Sequence, residues 1–164
     1  MITYQKNTTA LINIGQYRVC HKGVIMVAQN LGSCLGMAVI DRNLKLFGMI
    51  HCLLPLSSSD EEKAKKNPAL YVDTGVPLLL EEMLREGSTK SDLEIYIAGC
   101  GNSGKDLDPF EIGHRNYTVF RKLAWKNALF TKGEHVGGDM PRSLILDTVE
   151  ERVFIKLPDK TIYL

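Results

Sequence analysis

The sequence predicts an α/β protein: a three-layer α/β sandwich with a mixed, largely antiparallel sheet and two main helices. Two observations lead to this prediction. Short apolar runs bounded by turn residues, which are typical of strands, come before, between and after two longer segments. In those longer segments the apolar residues recur every three or four positions, which is the pattern of an amphipathic helix. Strands arranged around two helices in this way bury their apolar faces by packing the helices against a sheet.

Six strands are predicted from apolar or β-branched runs that end at turn residues. They cover residues 24–27, 35–40, 44–54, 93–98, 143–147 and 152–156. A short polar turn at 41–43 follows the second strand, and residues 148–151 join the last two. Connections of this length are typical of antiparallel hairpins.

Two helices are predicted, over residues 72–86 and 112–127. The first ends at Gly87, which is a common helix stop. The apolar residues that define the two helices are Val76, Leu79, Leu80, Met83 and Leu84 in the first, and Val119, Phe120, Leu123 and Ala124 in the second. Residues 57–68 contain three serines, a charge run and an Asn-Pro pair. They predict a mobile loop, which we interpret as a lid that closes over a substrate.

Composition indicates one domain, residues 1–164, of the ordinary globular kind, with 45% apolar and 24% charged residues. The net charge of +1 gives no electrostatic reason to expect nucleic acid or an anionic membrane as a partner. The first residues have no signal-peptide pattern, and no apolar run approaches the ~18 residues that cross a bilayer. We therefore expect a cytoplasmic protein with reduced thiols and no membrane insertion.

Cys34 and His51 are the candidate catalytic residues. Cys34 lies between Gly32 and Gly36, where the backbone can turn sharply or approach a ligand. His51 follows 17 residues later in an apolar strand and returns beside Cys34 if the two segments form a hairpin. A cysteine with an adjacent histidine base can attack an amide or acyl carbon. The backbone N–H groups of Ser33 and Cys34 are candidates for holding the resulting oxyanion.

Each of these residues also has a structural interpretation, and other sites compete with them. Cys34 could be a buried core cysteine, and His51 a half-buried strand residue bonded to a carbonyl. A zinc site from Cys20, His21, His51 and Cys52 is disfavoured, because adjacent strand residues point to opposite faces. The glycine-rich segment 99–104 lacks the Lys-Ser/Thr ending of a phosphate-binding loop. Within it, Cys100 is a rival nucleophile without an identifiable base. No metal or cofactor is expected.

Several motifs in order along the chain resemble the chemoreceptor glutamine deamidases, the CheD family. They are LGSC at 31–34, His51 in a strand that ends Leu-Pro, YVDT at 71–74, IAG at 97–99, IGHRN at 112–116, and GG at 137–138 followed by RS at 142–143. Together these motifs extend over nearly the whole chain.

The resemblance implies an α/β sandwich related to the catalytic domain of bacterial deamidating toxins. It implies hydrolysis of particular glutamine side chains on chemoreceptor cytoplasmic helices to glutamate, without a cofactor. Cys34 would be the nucleophile and His51 the base. A CheC-type phosphatase would be a second partner, in species that have one.

One position departs from the family pattern. Family members commonly have a threonine six residues before the cysteine, and here that position is Ala28. Because alternate strand residues share a face, we predict that Asn30 orients His51 in place of the missing hydroxyl. Two alternatives remain: a weak or inactive relative of the deamidases that only binds receptors or the phosphatase, and a cysteine amidohydrolase that acts on a small molecule in a deep pocket.

Overall fold

The computed structural model describes residues 8–104 and 106–164, which form ten β-strands and three α-helices. The strands are β1 Thr8–Leu11, β2 Gln16–His21, β3 Val24–Leu31, β4 Leu35–Asp41, β5 Leu46–Cys52, β6 Leu93–Gly99, β7 Thr131–Val136, β8 Arg142–Asp147, β9 Arg152–Lys156 and β10 Thr161–Tyr163. The helices are α1 Glu61–Lys66, α2 Val72–Arg85 and α3 Ile112–Lys126.

The strands form two five-stranded sheets. The first has the order β1-β3-β8-β9-β10, and the second has the order β2-β5-β4-β6-β7. Each sheet has one parallel pair, β1 with β3 and β6 with β7, and its other pairs are antiparallel. In the centre of the second sheet β4 and β5 are buried along their whole length. Strands buried on both faces read as continuous apolar runs, which is how these two appear in the sequence.

Two apolar cores lie on the two faces of the second sheet. On one face, side chains of β4 such as Leu35, Met37 and Val39 pack with buried residues of α2 and α3. On the other face, Ala38 and Ile40 pack with buried residues of the first sheet. The alternation of side chains along β4 therefore supplies both cores from one strand. The second sheet lies between the helices and the first sheet.

The predicted α/β class and its mixed, largely antiparallel pairing are confirmed, as are the two main helices, which end within one residue of the predicted bounds. The strand predicted over 24–27 extends to Leu31, and the division of the strands into two sheets was not anticipated. Four further strands, β1, β2, β7 and β10, were missed. Their exposed positions interrupt the apolar pattern from which the others were identified.

The prediction of a loop over residues 57–68 is wrong, because this segment contains helix α1. The Asp60 carboxylate accepts the N–H of Lys63 and caps this helix. Just before it, Ser57 donates its N–H and its hydroxyl to the carboxylate of Asp73 in α2, both at 2.8 Å. The Asp60 cap and the hydrogen bonds from Ser57 to α2 explain why this polar segment is helical.

Within residues 8–104 and 106–164, no helix has the length and apolar character that a bilayer crossing requires.

Candidate active site

Antiparallel pairing of β4 with β5 brings Cys34 and His51 together. Gly36 pairs directly with His51, and Cys34 precedes Gly36 by two residues on the same face. Such diagonal neighbours lie about 7–8 Å apart between Cα atoms, within reach of long side chains. Cys34 is 6% exposed and His51 is 3% exposed. The hairpin predicted from the sequence is thus confirmed, and it places the thiol and the imidazole on one face.

The ring of His51 is fixed by the main chain of a neighbouring segment. Its Nδ1 lies 3.0 Å from the carbonyl oxygen of Ile12. A carbonyl oxygen only accepts hydrogen bonds, so Nδ1 carries the proton in the neutral ring. The other nitrogen, Nε2, is then the lone-pair acceptor, and it is buried without a hydrogen-bond partner among the described residues. The histidine is therefore held as a base with its free nitrogen on the inside of the protein.

Burial keeps both members of the pair neutral at rest. It raises the pKa of the Cys34 thiol to about 11, although the residue's own backbone N–H favours the thiolate. Burial also lowers the pKa of His51 below its ordinary value of 6.5, against the opposing effect of the Ile12 carbonyl. At neutral pH the thiol keeps its proton and the imidazole is ready to accept it. An attack by the Cys34 thiol at neutral pH would therefore require proton transfer to His51.

Three hydrogen bonds to carbonyl groups hold the segment that carries Cys34. The Cys34 carbonyl accepts the N–H of Cys100 at 2.8 Å, and the Gly32 carbonyl accepts the N–H of Gly101 at 2.7 Å. The Ser33 carbonyl between them accepts from the side chain of Asn116 at 2.9 Å. In the described chain the N–H groups of Ser33 and Cys34 donate to no other backbone group. They remain available to a developing oxyanion.

Position 99 must be glycine because the backbone there lies very close to the carbonyl oxygen of Cys34. Gly99 has a left-handed φ of +95°, and a Cβ atom there would overlap the carbonyl oxygen of Cys34. We expect Gly99→Ala to lower the free energy of unfolding by about 1–2 kcal/mol from the left-handed backbone. Displacement of the Cys34 carbonyl should lower the free energy of unfolding by about 1–3 kcal/mol more. Chemical denaturation of Gly99→Ala measures the sum of the two effects.

Gly104→Ala is the matched control for this substitution. Gly104 has a similar φ of +93°, but a Cβ there would meet nothing within 4 Å. Gly104→Ala should therefore lower the free energy of unfolding only by the contribution of the left-handed backbone, about 1–2 kcal/mol. Equal destabilisation by the two substitutions would show that the contact between Gly99 and the Cys34 carbonyl does not constrain the backbone at Cys34.

Asn30 does not take the role predicted for it. The register of β3 on β8 shifts between Ala28 and Leu31, which marks a bulge. Asn30 has a left-handed φ of +54° within this bulge and is exposed, whereas Ala28 is fully buried. The strict alternation on which the prediction rested therefore fails, and the two side chains do not share a face. The Ile12 carbonyl orients the histidine instead.

The competing cysteines lie in the core on the helix side. Cys100 and Cys52 both pack among the residues between the second sheet and the helices. Burial raises the pKa of Cys100 to about 12 and also raises that of Cys52. Neither thiol is favoured as a nucleophile over Cys34. Among the described residues, His, Cys, Asp and Glu side chains form no cluster of three or more that could hold a metal ion.

Two features of the site were missed in the sequence. The carbonyl of Ile12 carries no side-chain signal, because any residue could supply it. Asn116 did carry a signal. It lies within the IGHRN motif, and asparagine is unfavourable inside a helix, so its presence there indicates a specific role. In the structure Asn116 is fully buried and donates to the carbonyls of both Ser33 and Leu53, at 2.9 and 3.0 Å.

The described structure has several surface depressions. Five of them, with volumes between about 230 and 570 Å³, are lined by residues other than Cys34 and His51. A small-molecule amidohydrolase would instead use a deep pocket around its nucleophile. The depression of about 570 Å³ is lined by Ile12 and Gln16, which both contact His51, so it borders the candidate pair.

Comparison with known proteins gives consistent matches. A family model described as CheD chemotactic sensory transduction matches residues 53–157. A relative from Syntrophus aciditrophicus, named probable chemoreceptor glutamine deamidase CheD 1, is 35% identical over 147 residues, which are 89% of this chain and 92% of the relative. A probable chemoreceptor glutamine deamidase CheD from Pyrococcus abyssi is 35% identical over 138 residues, 83% of this chain and 83% of the relative.

The alignments with relatives extend beyond the segment that the family model matches. A relative from Solibacter usitatus, also named probable chemoreceptor glutamine deamidase CheD, is 31% identical over 89% of this chain and 87% of its own length. Alignments that leave so little of the chain uncovered must include both Cys34 and His51. By the family match and by this coverage, the chain is a member of the CheD family.

Proposed function

We propose that this protein hydrolyses the side-chain amide of specific glutamines on chemoreceptor cytoplasmic helices, producing glutamate and ammonia. The names of the relatives support the reaction and the substrate. One structural observation carries the proposal for this chain: His51 Nε2 is buried without a partner, on the strand face that also carries Cys34. A receptor and this enzyme would meet in the cytoplasm.

The first half of the proposed reaction forms a thioester. His51 Nε2 accepts the thiol proton as Cys34 Sγ bonds to the carboxamide carbon of the glutamine. The electron pair of the C=O bond moves to oxygen, where the N–H groups of Ser33 and Cys34 stabilise the negative charge. The imidazolium then gives its proton to the carboxamide nitrogen. The C–N bond breaks, and ammonia leaves.

The second half hydrolyses the thioester. His51 Nε2 accepts a proton from a water molecule, whose oxygen bonds to the thioester carbon. The C–S bond breaks, the glutamate is released, and the sulfur of Cys34 takes back the proton from the imidazolium. The net reaction consumes one water for each amide. The receptor helix gains a negative charge, which changes its packing and thereby its signalling bias.

Activity does not require the threonine that Ala28 replaces. The role of a third catalytic group is to fix the tautomer and the orientation of the histidine. Here the Ile12 carbonyl holds Nδ1 at 3.0 Å. Ala28 itself is fully buried between the two sheets and pairs with Leu144 of β8. Its position therefore serves packing, while the main chain supplies the orienting bond.

The pH dependence of the reaction follows from the pKa shift of His51. The reactive form of His51 is neutral, and burial lowers its pKa below 6.5. We expect kcat/KM to fall on the acid side as His51 gains a proton, with the midpoint of the fall below pH 6.5. Initial rates of ammonia release between pH 4.5 and 8.5 test this. An acid limb centred above pH 6.5 would contradict the proposed environment of the base.

A binding protein without chemistry is the second candidate, and the alanine at position 28 is the observation that favours it. We would measure ammonia release from a receptor cytoplasmic fragment, and binding of that fragment by sedimentation. Release of ammonia at a rate proportional to enzyme concentration supports the deamidase. Binding without release supports the second candidate. A CheC-type phosphatase, which is a further proposed partner, can be added to the same assay as an effector.

A further inference from the structure

Asn116 connects the segment that carries the nucleophile to the strand that carries the base. Its Nδ2 group donates to the carbonyl of Ser33, which directly precedes Cys34, at 2.9 Å. The same group donates to the carbonyl of Leu53, two residues after His51, at 3.0 Å. Both partners are carbonyl oxygens, so the atom between them must be the amide nitrogen. One carboxamide thus holds both catalytic segments.

The position of this bond in the sheet is informative. The ladder between β4 and β5 runs from Asp41 with Leu46 to Leu35 with Cys52, and it ends there. Ser33 and Leu53 lie beyond its last pair, where the two strands have no further register to keep them together. Asn116 supplies the next connection, from a third element, α3. It therefore extends the pairing of the hairpin past the residues that do the chemistry.

The other end of the carboxamide shows that this arrangement is costly. Asn116 is fully buried, and its Oδ1 atom has no hydrogen-bond partner among the described residues. A buried acceptor without a partner destabilises the fold. An apolar side chain would avoid that penalty but could not donate to the two carbonyls. Asn116 is therefore explained better by the two hydrogen bonds that it donates to the catalytic segments than by a contribution to stability.

The helix that presents Asn116 is itself closely fitted to the site. A Cβ atom on Gly113, one turn earlier in α3, would overlap the carbonyl oxygen of Gly101. Gly101 in turn donates its N–H to the carbonyl of Gly32 at 2.7 Å. The first turn of α3 thus packs directly against the turn that supports the nucleophile, so Asn116 is presented from a fixed position.

We propose that Asn116 is a positioning residue that sets the Cys34 thiol against His51 Nε2. This proposal rests on the proposed function only in that the two residues are taken as nucleophile and base. Loss of the connection lets the two segments separate beyond the end of the ladder. A misplacement of about 1 Å can cost about 100-fold in rate, and we expect Asn116→Ala to lower kcat by about that factor while KM is unchanged.

The test uses two variants and a readout that does not need the receptor. Asn116→Asp keeps the shape of the side chain but removes both donors, and Asn116→Ala removes the group. The reaction of Cys34 with iodoacetamide is followed by peptide mass spectrometry as a function of pH. In the wild type the rate should have a plateau at neutral pH, with His51 accepting the proton. In both variants Cys34 should react without proton transfer to His51. Only its thiolate form then reacts, so the rate should rise with pH up to the pKa of the thiol.

Asn127→Ala is the control at the C-terminal end of α3. The Asn127 side chain, directly after the last residue of this helix, also donates to a carbonyl, that of Leu123 at 2.8 Å, but it is exposed and lies at the opposite end of the helix from Gly113. It should leave the pH profile and kcat unchanged. Thermal unfolding of each variant shows whether the fold is lost or whether only the position of Cys34 relative to His51 has changed. If the Ala variant is unstable, the Asp variant still preserves the packed volume.

An unchanged alkylation profile in folded Asn116→Ala or Asn116→Asp would overturn the proposal, even if activity fell. Altered profiles in both variants, with the wild type inactive on the receptor fragment, would support the positioning role and refute the proposed function. Altered profiles together with the expected loss of kcat would support both.

Discussion

Substitution of Cys34 by alanine is expected to abolish deamidation. The thiol is the only protein group in the proposed mechanism that forms a bond to the substrate carbon, and no neighbouring residue is proposed to replace it. Removal of the nucleophile costs about 10⁶ in kcat in a serine hydrolase, and we expect a loss of that order. Because the substitution removes only one sulfur atom from a small side chain, the fold should tolerate the change. Ammonia release from the receptor fragment is the measurement.

Cys20→Ala is the control for the loss of a thiol. Cys20 lies in β2, is partly buried, and contacts the core between the sheets from its edge. It should retain full activity. Activity of Cys34→Ala above one percent of the wild type would require another nucleophile, and Cys100→Ala would then identify or exclude the rival.

Substitution of His51 by glutamine should have the second largest effect. Glutamine has a similar length and can still bond to the Ile12 carbonyl, but its amide cannot accept a proton. General base catalysis contributes about 10²- to 10⁴-fold, and the thiol pKa of about 11 makes the base necessary at neutral pH. We therefore expect kcat to fall by that range at pH 7. Activity should recover partly at high pH, where Cys34 ionises without help.

His21→Gln is the matched control for this substitution. His21 also places Nδ1 near a backbone carbonyl, that of Lys45 at 3.1 Å, but it is exposed at the far end of the β2 and β5 pair. Its substitution should leave the rate and the pH profile unchanged. Equal losses in the two variants would mean that the imidazole of His51 contributes structure and not chemistry.

The proximity of Cys34 and His51 could be predicted because it depends on local pairing. Antiparallel pairing around the short turn can place Cys34 and His51 on the same face, and the register of β4 with β5 does so. The orienting group could not be predicted in the same way. It is a main-chain carbonyl from Ile12, a residue 39 positions away from His51 along the chain, and main-chain groups leave no trace in residue type.

The error at Asn30 has a specific physical origin. Period-two alternation holds only while the strand is regular. The bulge between Ala28 and Leu31 places Asn30 at a φ of +54°. Asparagine is one of the few residues other than glycine that tolerates this conformation. The same residue type that suggested a catalytic amide therefore also fits a break in the strand.

The fold was predictable where elements are buried and less so at the edges. The central strands and the two main helices have strong apolar patterns. The edge strand β2, with alternating exposed and half-buried residues, is held by its pairing to β5. Helix α1 depends on the Asp60 cap, and its neighbour Ser57 on bonds to Asp73. Such contacts depend on tertiary position and override the polar composition of the segment.

The central claim is that Cys34 and His51 together convert receptor glutamine to glutamate with Ala28 at the position where the resemblance leads us to expect a threonine. Peptide mass spectrometry of a receptor cytoplasmic fragment, incubated with the protein in ¹⁸O-labelled water, tests it most directly. We predict a gain at specific glutamines of about 3 Da, from the exchange of an amide NH₂ for a labelled hydroxyl, which Cys34→Ala and His51→Gln both remove. An unmodified fragment that still binds the wild-type protein would contradict the account.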